Sequence, residues 1–176
     1  VYRCEGGIWA KINEDMTNTA ARKPVERTYL KALAAAATEP DMAKRLERLG
    51  KGLDLDRLIR FIALDAMLWN WDGYAMKKNN YRLYHDPSTG RITFLTTGMD
   101  QMFWEPGGPI APDFQGLVAR SVMQVPELQR RYFDYMGDML TNVFKVETMT
   151  NHIQWLFSRI NPALAEYDRG AARNEA

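Results

Sequence analysis

The chain has 176 residues, with 23 Lys and Arg against 22 Asp and Glu for a formal net charge of +1, and 46% of its residues are hydrophobic. A chain of this length can bury a core without disulfides or a structural metal, and its single cysteine excludes an internal disulfide. The balanced charge argues against a nucleic-acid partner, because such binders present a basic surface to phosphates.

No apolar run reaches the roughly 20 residues that a membrane-spanning helix needs. The most apolar stretch is residues 58–71, which Arg60, Asp65 and Asn70 interrupt. It therefore predicts a buried helix, and we expect no membrane segment in this chain.

The two ends bear on the domain organisation. The first residue is Val1 rather than Met, and residues 1–9 lack the basic start and apolar run of a secretory signal. We expect a fragment of a longer protein, in which any targeting signal would precede Val1. The compartment stays open, with an extracytoplasmic or surface-associated position as one option. We expect residues 1–168 to form a single domain and residues 169–176 to be a frayed tail.

The first third of the chain predicts short elements. Residues 1–22 predict a short strand followed by a loop. Residues 24–37 are strong helix formers, with Pro24 suited to the first turn and Pro40 just after the end. Asp41 is then expected to cap a helix that runs to Leu49 and ends at Gly50.

The clearest helix signal follows. Asp54 can cap a helix whose apolar residues keep helical spacing as far as Asn70, and Gly73 is expected to end it. This helix is apolar around most of its circumference, which predicts a central position in the fold.

The period then changes from 3.6 to 2, which predicts a β-hairpin. Residues 81–85 and 92–96 alternate between apolar and polar, and residues 86–90 have strong turn chemistry. Glycines and prolines within residues 105–113 exclude regular structure. Helices are predicted over residues 113–124, 126–144 and 146–160, and briefly after Pro162. The fold class is α+β, mostly helical, with one central hairpin.

Polar residues of chemical interest flank this hairpin. Asp72 follows the buried helix, Asn79 and Asn80 precede the first strand, and Asp100 follows the second. The large lobe of protein kinases places a catalytic Asp, a metal-binding Asn and a metal-binding Asp in the same order. Their oxygens suit Mg²⁺, a hard cation. The competing interpretation is structural, because Asp and Asn are common at turns.

Three segments carry a more specific signal. They read W-D-G-Y at residues 71–74, N-Y-R-L-Y-H-D-P-S-T-G-R at residues 80–91 and G-M-D-Q-M-F at residues 98–103. These segments resemble the signature of the CotH family of spore-coat-type atypical protein kinases, and the resemblance extends over roughly residues 52–168. It implies the large lobe of a kinase-like fold that binds ATP with magnesium and phosphorylates Ser or Thr on protein partners.

The resemblance also implies roles for individual residues. Asp72 matches the catalytic-loop aspartate, Asn80 the metal-binding asparagine and Asp100 the remaining metal-binding aspartate. Where many family members have Pro-Trp-Asp, residues 96–98 read Thr-Thr-Gly, so one carboxylate is missing. Such a loss could weaken nucleotide binding or abolish turnover. The segment between Asp72 and Asn80 is also longer than in the family pattern, around residues 75–77.

Three further residues are candidates for binding the nucleotide. Lys77 and Lys78 lie between the predicted site residues and could contact phosphate, although such a pair is equally typical of solvated surface. Trp104 enters a Gly- and Pro-rich loop, where it could line the mouth of the pocket.

The large lobe of a kinase is incomplete by itself. Nothing before Asp72 offers the strand Lys and helical Glu that grip phosphates in kinases, so we expect that part upstream and little activity in this fragment alone.

Two other functions compete with the kinase interpretation. The chain could instead be a catalytically inactive coat or surface module that binds protein partners through residues 104–113. A metal-dependent hydrolase using Asp72 and Asp100 is disfavoured, because it would need more carboxylate or imidazole ligands.

Overall fold

A computed structural model describes residues 2–4, 17–18, 23–24 and 28–167. The protein is mostly helical with antiparallel strands, which confirms the α+β class. In chain order the elements are β1 (Tyr2–Cys4), β2 (Thr17–Asn18), β3 (Lys23–Pro24), α1 (Thr28–Ala37), α2 (Met42–Gly52), α3 (Leu55–Met67), α4 (Tyr74–Lys77), β4 (Tyr81–His85), β5 (Ile92–Thr96), α5 (Leu117–Met123), α6 (Pro126–Asn142) and α7 (Val146–Tyr167).

The predicted hairpin is confirmed, with β4 and β5 paired antiparallel so that Tyr81 lies opposite Thr96 and His85 opposite Ile92. Strand β1 pairs antiparallel with the other edge of β4, which gives the sheet order β1-β4-β5. Strands β2 and β3 pair with each other separately. Alternation along β4 turns Tyr81 and Leu83 into the core.

Helix α3 is the central helix that the sequence predicts. Asp54 is its N-cap, and its side chain accepts a hydrogen bond from the backbone N–H of Arg57 at 3.1 Å. Asp41 caps α2 in the same way through the N–H of Lys44, at 3.0 Å. The buried apolar residues of α3 are Leu58, Ile59, Ile62, Ala63 and Ala66. Their burial places α3 at the centre of the first part of the chain.

Aromatic rings join α3, α4 and the hairpin. The ring of Tyr74 lies 4.5 Å from that of Tyr81 and 4.7 Å from that of Phe94, centroid to centroid, and the ring of Phe61 lies 5.7 Å from that of Phe94. Tyr74 is fully buried, and its hydroxyl accepts a hydrogen bond from the N–H of Val118 at 2.9 Å. This cluster fixes the position of α4 between the central helix and the hairpin.

Two predicted helix boundaries near the start of the chain are wrong. The helix predicted from Pro24 begins at Thr28, and Pro24 belongs to β3, opposite Thr17. The φ angle that proline imposes suits an extended edge strand as well as a first helical turn, so Pro24 alone could not distinguish the two. Helix α2 continues through Gly50 and ends at Gly52.

Three predicted breaks later in the chain are also wrong. Gly73 is the N-cap position of α4 rather than the end of α3, which stops at Met67. Helix α5 begins only at Leu117, with Gly116 at its N-cap position, where the N–H of Gly116 donates to the carbonyl of Ala75 at 3.1 Å. Pro162 lies inside α7 and does not end it. A proline removes one helical N–H, but the flanking turns of this 22-residue helix continue.

The chain divides into two compact units, Val1–Met136 and Gly137–Ala176. The first contains the sheet, α1 to α5 and the buried residues of α6. In the second, the ring of Trp155 stacks against His152 and lies under the guanidinium of Arg159. The tail predicted at residues 169–176, and most of the loop predicted within residues 1–22, lie outside the described residues. Among residues 28–167, no helix is long and apolar enough to cross a bilayer.

Candidate functional site

Asp72 lies on the turn between α3 and α4, next to the entrance of the hairpin. Its carboxylate accepts hydrogen bonds from the side-chain amides of two consecutive residues. Asn79 Nδ2 lies 3.2 Å from Oδ1 and 3.1 Å from Oδ2, and Asn80 Nδ2 lies 2.7 Å from Oδ2. The structure therefore brings together Asp72 and Asn80, two of the predicted site residues, and it adds Asn79.

The exit of the hairpin reaches the same place. Asn80 Nδ2 lies 3.4 Å from the carbonyl oxygen of Gly98, and the N–H of Thr97 donates to the carbonyl of Asn80 at 3.0 Å. Asn80 and Gly98 both have left-handed backbones, with φ of 47° and 60°. A Cβ at Gly98 would lie 3.0 Å from Asn80 Cγ. Glycine therefore fits at the position where the resemblance leads one to expect an acidic residue, because a side chain there would crowd Asn80.

The extra residues between Asp72 and Asn80 form α4. Tyr74 and Ala75 are buried, so this longer connection is packed into the core. Lys78 ends the helix with φ of 63°, and its N–H donates to the carbonyl of Tyr74 at 3.1 Å. Lys77 is exposed and Lys78 half-buried. Within the described residues neither lysine side chain forms a hydrogen bond or ion pair, and their predicted contact with phosphate stays a prediction.

A buried carboxylate lies beneath the Asp72 turn. Asp65, on α3, is 1% exposed, and its oxygens accept hydrogen bonds from Asn70 Nδ2 at 2.6 Å and from the N–H of Ala75 at 3.1 Å. Burial raises the pKa of Asp65 to about 6, although these two hydrogen bonds favour the charged form. The carboxylate therefore ties α3 to both sides of the turn.

The other two predicted site residues lie on the exit side. Asp100 is on an exposed turn two residues beyond Gly98, and its carboxylate has no hydrogen bond or ion pair within residues 28–167. Trp104 is 69% exposed, and its ring lies 6.0 Å from that of Trp71, the residue before Asp72. Trp104 is thus beside the Asp72 turn, while the metal-binding role of Asp100 stays a prediction.

An apolar groove borders this exit segment. It measures about 290 Å³ and lies between α3 and the Gly- and Pro-rich loop that follows Trp104. The ring of Trp69 packs on Gly108 so closely that a Cβ there would lie 2.5 Å from it. Phe103 and Ile110, at the rim, are 55% and 53% exposed.

The donor atoms fit a magnesium ion better than a metal of softer character. Mg²⁺ prefers oxygen ligands and keeps several waters. Oxygen ligands are offered here by the carboxylates of Asp72 and Asp100, the side-chain amides of Asn79 and Asn80 and the carbonyl of Gly98. Within the described part of the chain, no group of three or more His, Cys, Asp or Glu residues could hold a metal.

Sequence reasoning assigned no role to Asn79 and Asp65. Asn79 was visible beside Asn80, but spacing alone could not show that both amides reach Asp72. For Asp65 a signal existed, because Asp65 and Asn70 are polar residues within a stretch predicted to be buried. Buried polar residues usually have partners, and here they are partners of each other.

Comparisons with known proteins find a family match and similar relatives. A family model described as CotH kinase protein matches residues 5–173. Two relatives from Rhizopus delemar, named invasin CotH2 and invasin CotH3, are 25% and 26% identical over 134 residues. Each alignment covers 68% of this chain and 22% of the relative. The chain therefore spans about a fifth of the length of the curated relatives that it matches.

Proposed function

The chain belongs to the CotH kinase protein family, and from this premise we propose that its natural protein transfers the γ-phosphoryl group of ATP to Ser or Thr hydroxyls of protein partners, with magnesium. In this proposal the chain supplies the large lobe of a kinase-like fold. One observation carries the proposal: the Asp72 carboxylate is held by Asn79 and Asn80 at the place where the entrance and exit of the hairpin meet.

Asp72 is the general base in this proposal. It is half-buried, and its two oxygens are oriented by amide donors that leave one further lone pair, on Oδ1, free to accept a proton. The hydroxyl proton of the protein substrate passes to Asp72 while the hydroxyl oxygen bonds to the γ-phosphorus. The bond between that phosphorus and the bridging oxygen breaks, and ADP leaves with the electron pair. Holding the base in place lowers the entropy cost of this step.

Asn80 and Asp100 are the proposed magnesium ligands. Asn80 is fixed by its bonds to Asp72 and Gly98, whereas the Asp100 side chain is exposed. Bound magnesium would neutralise charge on the phosphates. Lys77 and Lys78 follow the Asp72 turn, and we place them toward the phosphates. Trp104, next to Trp71, would border the nucleotide or the protein substrate.

The proposal is tested by phosphoryl transfer in the natural full-length protein, because this chain spans only a fifth of its relatives' length. The protein is incubated with γ-labelled ATP and candidate protein partners, with magnesium and with a chelator, and labelled amino acids are identified. We expect label on Ser or Thr only when magnesium is present. The Asp72→Asn variant should transfer little label. Its matched control, Asp134→Asn, at an exposed carboxylate on α6, should transfer label normally. Label that is absent, or that does not need magnesium, contradicts the proposal.

A second candidate is a non-catalytic module that binds a protein partner. The groove of about 290 Å³ and the exposed rings of Phe103 and Trp104 favour it, because exposed aromatic side chains are typical of protein interfaces. Both relatives are named as invasins. Such a module has no need of the nucleotide.

Calorimetry separates the two candidates. ATP is titrated into the full-length protein with magnesium and with a chelator. A kinase should give heat that depends on magnesium, and a module that only binds proteins should give none. The Trp104→Ala variant adds a second criterion, because loss of this exposed ring should weaken binding of the protein partner by the module.

A further inference from the structure

The Asp65 carboxylate under the Asp72 turn is a buried ionisable group to which the proposed mechanism assigns no role. It is almost fully buried in the last turn of α3, where an ionisable group costs free energy unless it has partners. Both of its oxygens are used, one by Asn70 Nδ2 and one by the N–H of Ala75. These partners come five and ten residues later in the chain, on opposite sides of Asp72.

Gly73 shows how closely the turn packs on this carboxylate. A Cβ at Gly73 would lie 2.6 Å from both Asp65 oxygens and 2.6 Å from Asn70 Nδ2. The φ of Gly73 is −79°, which any residue adopts, so close approach and not conformation requires glycine here. The backbone that follows Asp72 therefore lies directly against Asp65.

Asp72 is consequently fixed from two directions. The chain on both sides of it is joined to the Asp65 carboxylate, through the Asn70 side chain and the Ala75 N–H, and its own side chain is joined to Asn79 and Asn80. We propose that Asp65 is a positioning residue, which acts through Asn70 and Ala75 to hold Asp72 where it can accept the substrate proton. The inference that Asp65 positions a base rests on the proposed kinase function. The tie itself, meaning the hydrogen bonds that join Asp65 to Asn70 and Ala75, does not depend on that function.

The Asp65–Asn70 hydrogen bond has one donor and one acceptor, and exchanging them offers a direct test. Asn70→Asp places a carboxylate against Asp65 and removes the amide donor. Asp65→Asn combined with Asn70→Asp restores one donor and one acceptor, with Asn at position 65 still able to accept from the N–H of Ala75. Ile59→Val, at a fully buried residue on the same helix, is the control for a loss of stability that leaves the tie intact.

Two readouts are measured on the full-length protein. Amide hydrogen exchange is followed in peptides covering residues 69–77, and kcat and KM for ATP are measured with a protein substrate. We expect Asn70→Asp to speed exchange of these amides and to lower kcat about tenfold or more, since small misplacement of a base is costly. KM should change by less than about twofold, because nucleotide binding does not use this tie. The double variant should recover both readouts, and Ile59→Val should change neither.

The inference is overturned if Asn70→Asp lowers the melting temperature but leaves exchange in residues 69–77 and kcat unchanged, or if the double variant does not recover. A failure of the kinase proposal has a different signature. In that case the wild-type protein transfers no phosphate, while exchange in residues 69–77 still responds to Asn70→Asp and to its rescue. Unchanged exchange together with no transfer overturns both.

Discussion

The two ends of the hairpin differ in how their candidate site residues are held. At the entrance, Asp72 accepts hydrogen bonds from Asn79 and Asn80, and a buried carboxylate supports the turn beneath it. At the exit, Asp100 has no such partner within the described residues, and Trp104 is 69% exposed. The entrance is therefore preorganised, as a base for proton transfer should be. The exit keeps its side chains available for a ligand or a partner.

The largest effect we expect concerns the pH dependence of stability. Because burial raises the pKa of Asp65 to about 6 from an ordinary value of 3.8, the folded protein binds this proton more tightly than the unfolded chain. The favourable contribution is fully present well below pH 4 and is lost as pH rises through about 6. Relative to Asp65→Asn, the wild-type free energy of unfolding should fall by about 2 kcal/mol between pH 4 and pH 7.

This prediction is checked by urea unfolding of wild-type protein and Asp65→Asn between pH 4 and pH 7. Ile62→Val, another buried α3 residue, should follow the wild-type pH profile. Parallel profiles for wild type and Asp65→Asn would show that the entrance turn is not built on a buried carboxylate.

The next effect compares one glycine at each end of the hairpin. Gly73→Ala forces a Cβ to within 2.6 Å of three atoms of Asp65 and Asn70, and we expect a loss of about 2 kcal/mol of stability. Gly107→Ala, in the exit loop, meets only Glu105 Oε1 at 3.4 Å and should change stability by less than about 0.5 kcal/mol. Thermal unfolding of both variants measures the difference, and equal losses would contradict the contrast between the two ends.

A smaller effect tests the contact between Gly98 and Asn80. Gly98 and Gly90 both have left-handed backbones, with φ of 60° and 69°, so alanine at either should cost about 1 kcal/mol. Only Gly98 has Asn80 within 4 Å. Gly98→Ala should therefore lose more stability than Gly90→Ala, and it alone should slow phosphoryl transfer. The idea that this contact positions Asn80 fails if the two variants transfer phosphate equally.

The smallest effect on stability belongs to Trp104. Because its ring is largely exposed, Trp104→Ala should shift stability by less than about 0.5 kcal/mol. A larger loss in thermal unfolding would mean that the ring supports the fold and is not free to contact a ligand.

The sequence was sufficient where the signals are local. Asp41 and Asp54 were predicted as helix caps because a cap needs only a side chain and an N–H three residues later. The alternation of residues 81–85 and 92–96 predicted the hairpin for a similar reason. Asp72 and Asn80 border these elements, and the structure joins their side chains by a hydrogen bond.

The sequence was insufficient where contacts join distant residues. Tyr2 pairs with Leu83 in the sheet, and no local pattern specifies a partner so far along the chain. The left-handed φ of Asn80 depends on its contact with the exit of the hairpin. Gly73 looked like a helix stop because glycine often ends helices, whereas its role is to allow the backbone to pack against Asp65.

The measurement that tests the central claim most directly is the initial rate of phosphate transfer to protein Ser or Thr by Asp72→Asn in the full-length protein at saturating ATP and magnesium. Asparagine keeps the size of the side chain but cannot accept the substrate proton in the same way. We predict a rate at least about a hundredfold below wild type, with a melting temperature close to that of wild type and a normal rate for Asp134→Asn. A rate for Asp72→Asn that equals the wild-type rate would contradict the assignment of Asp72 as the general base.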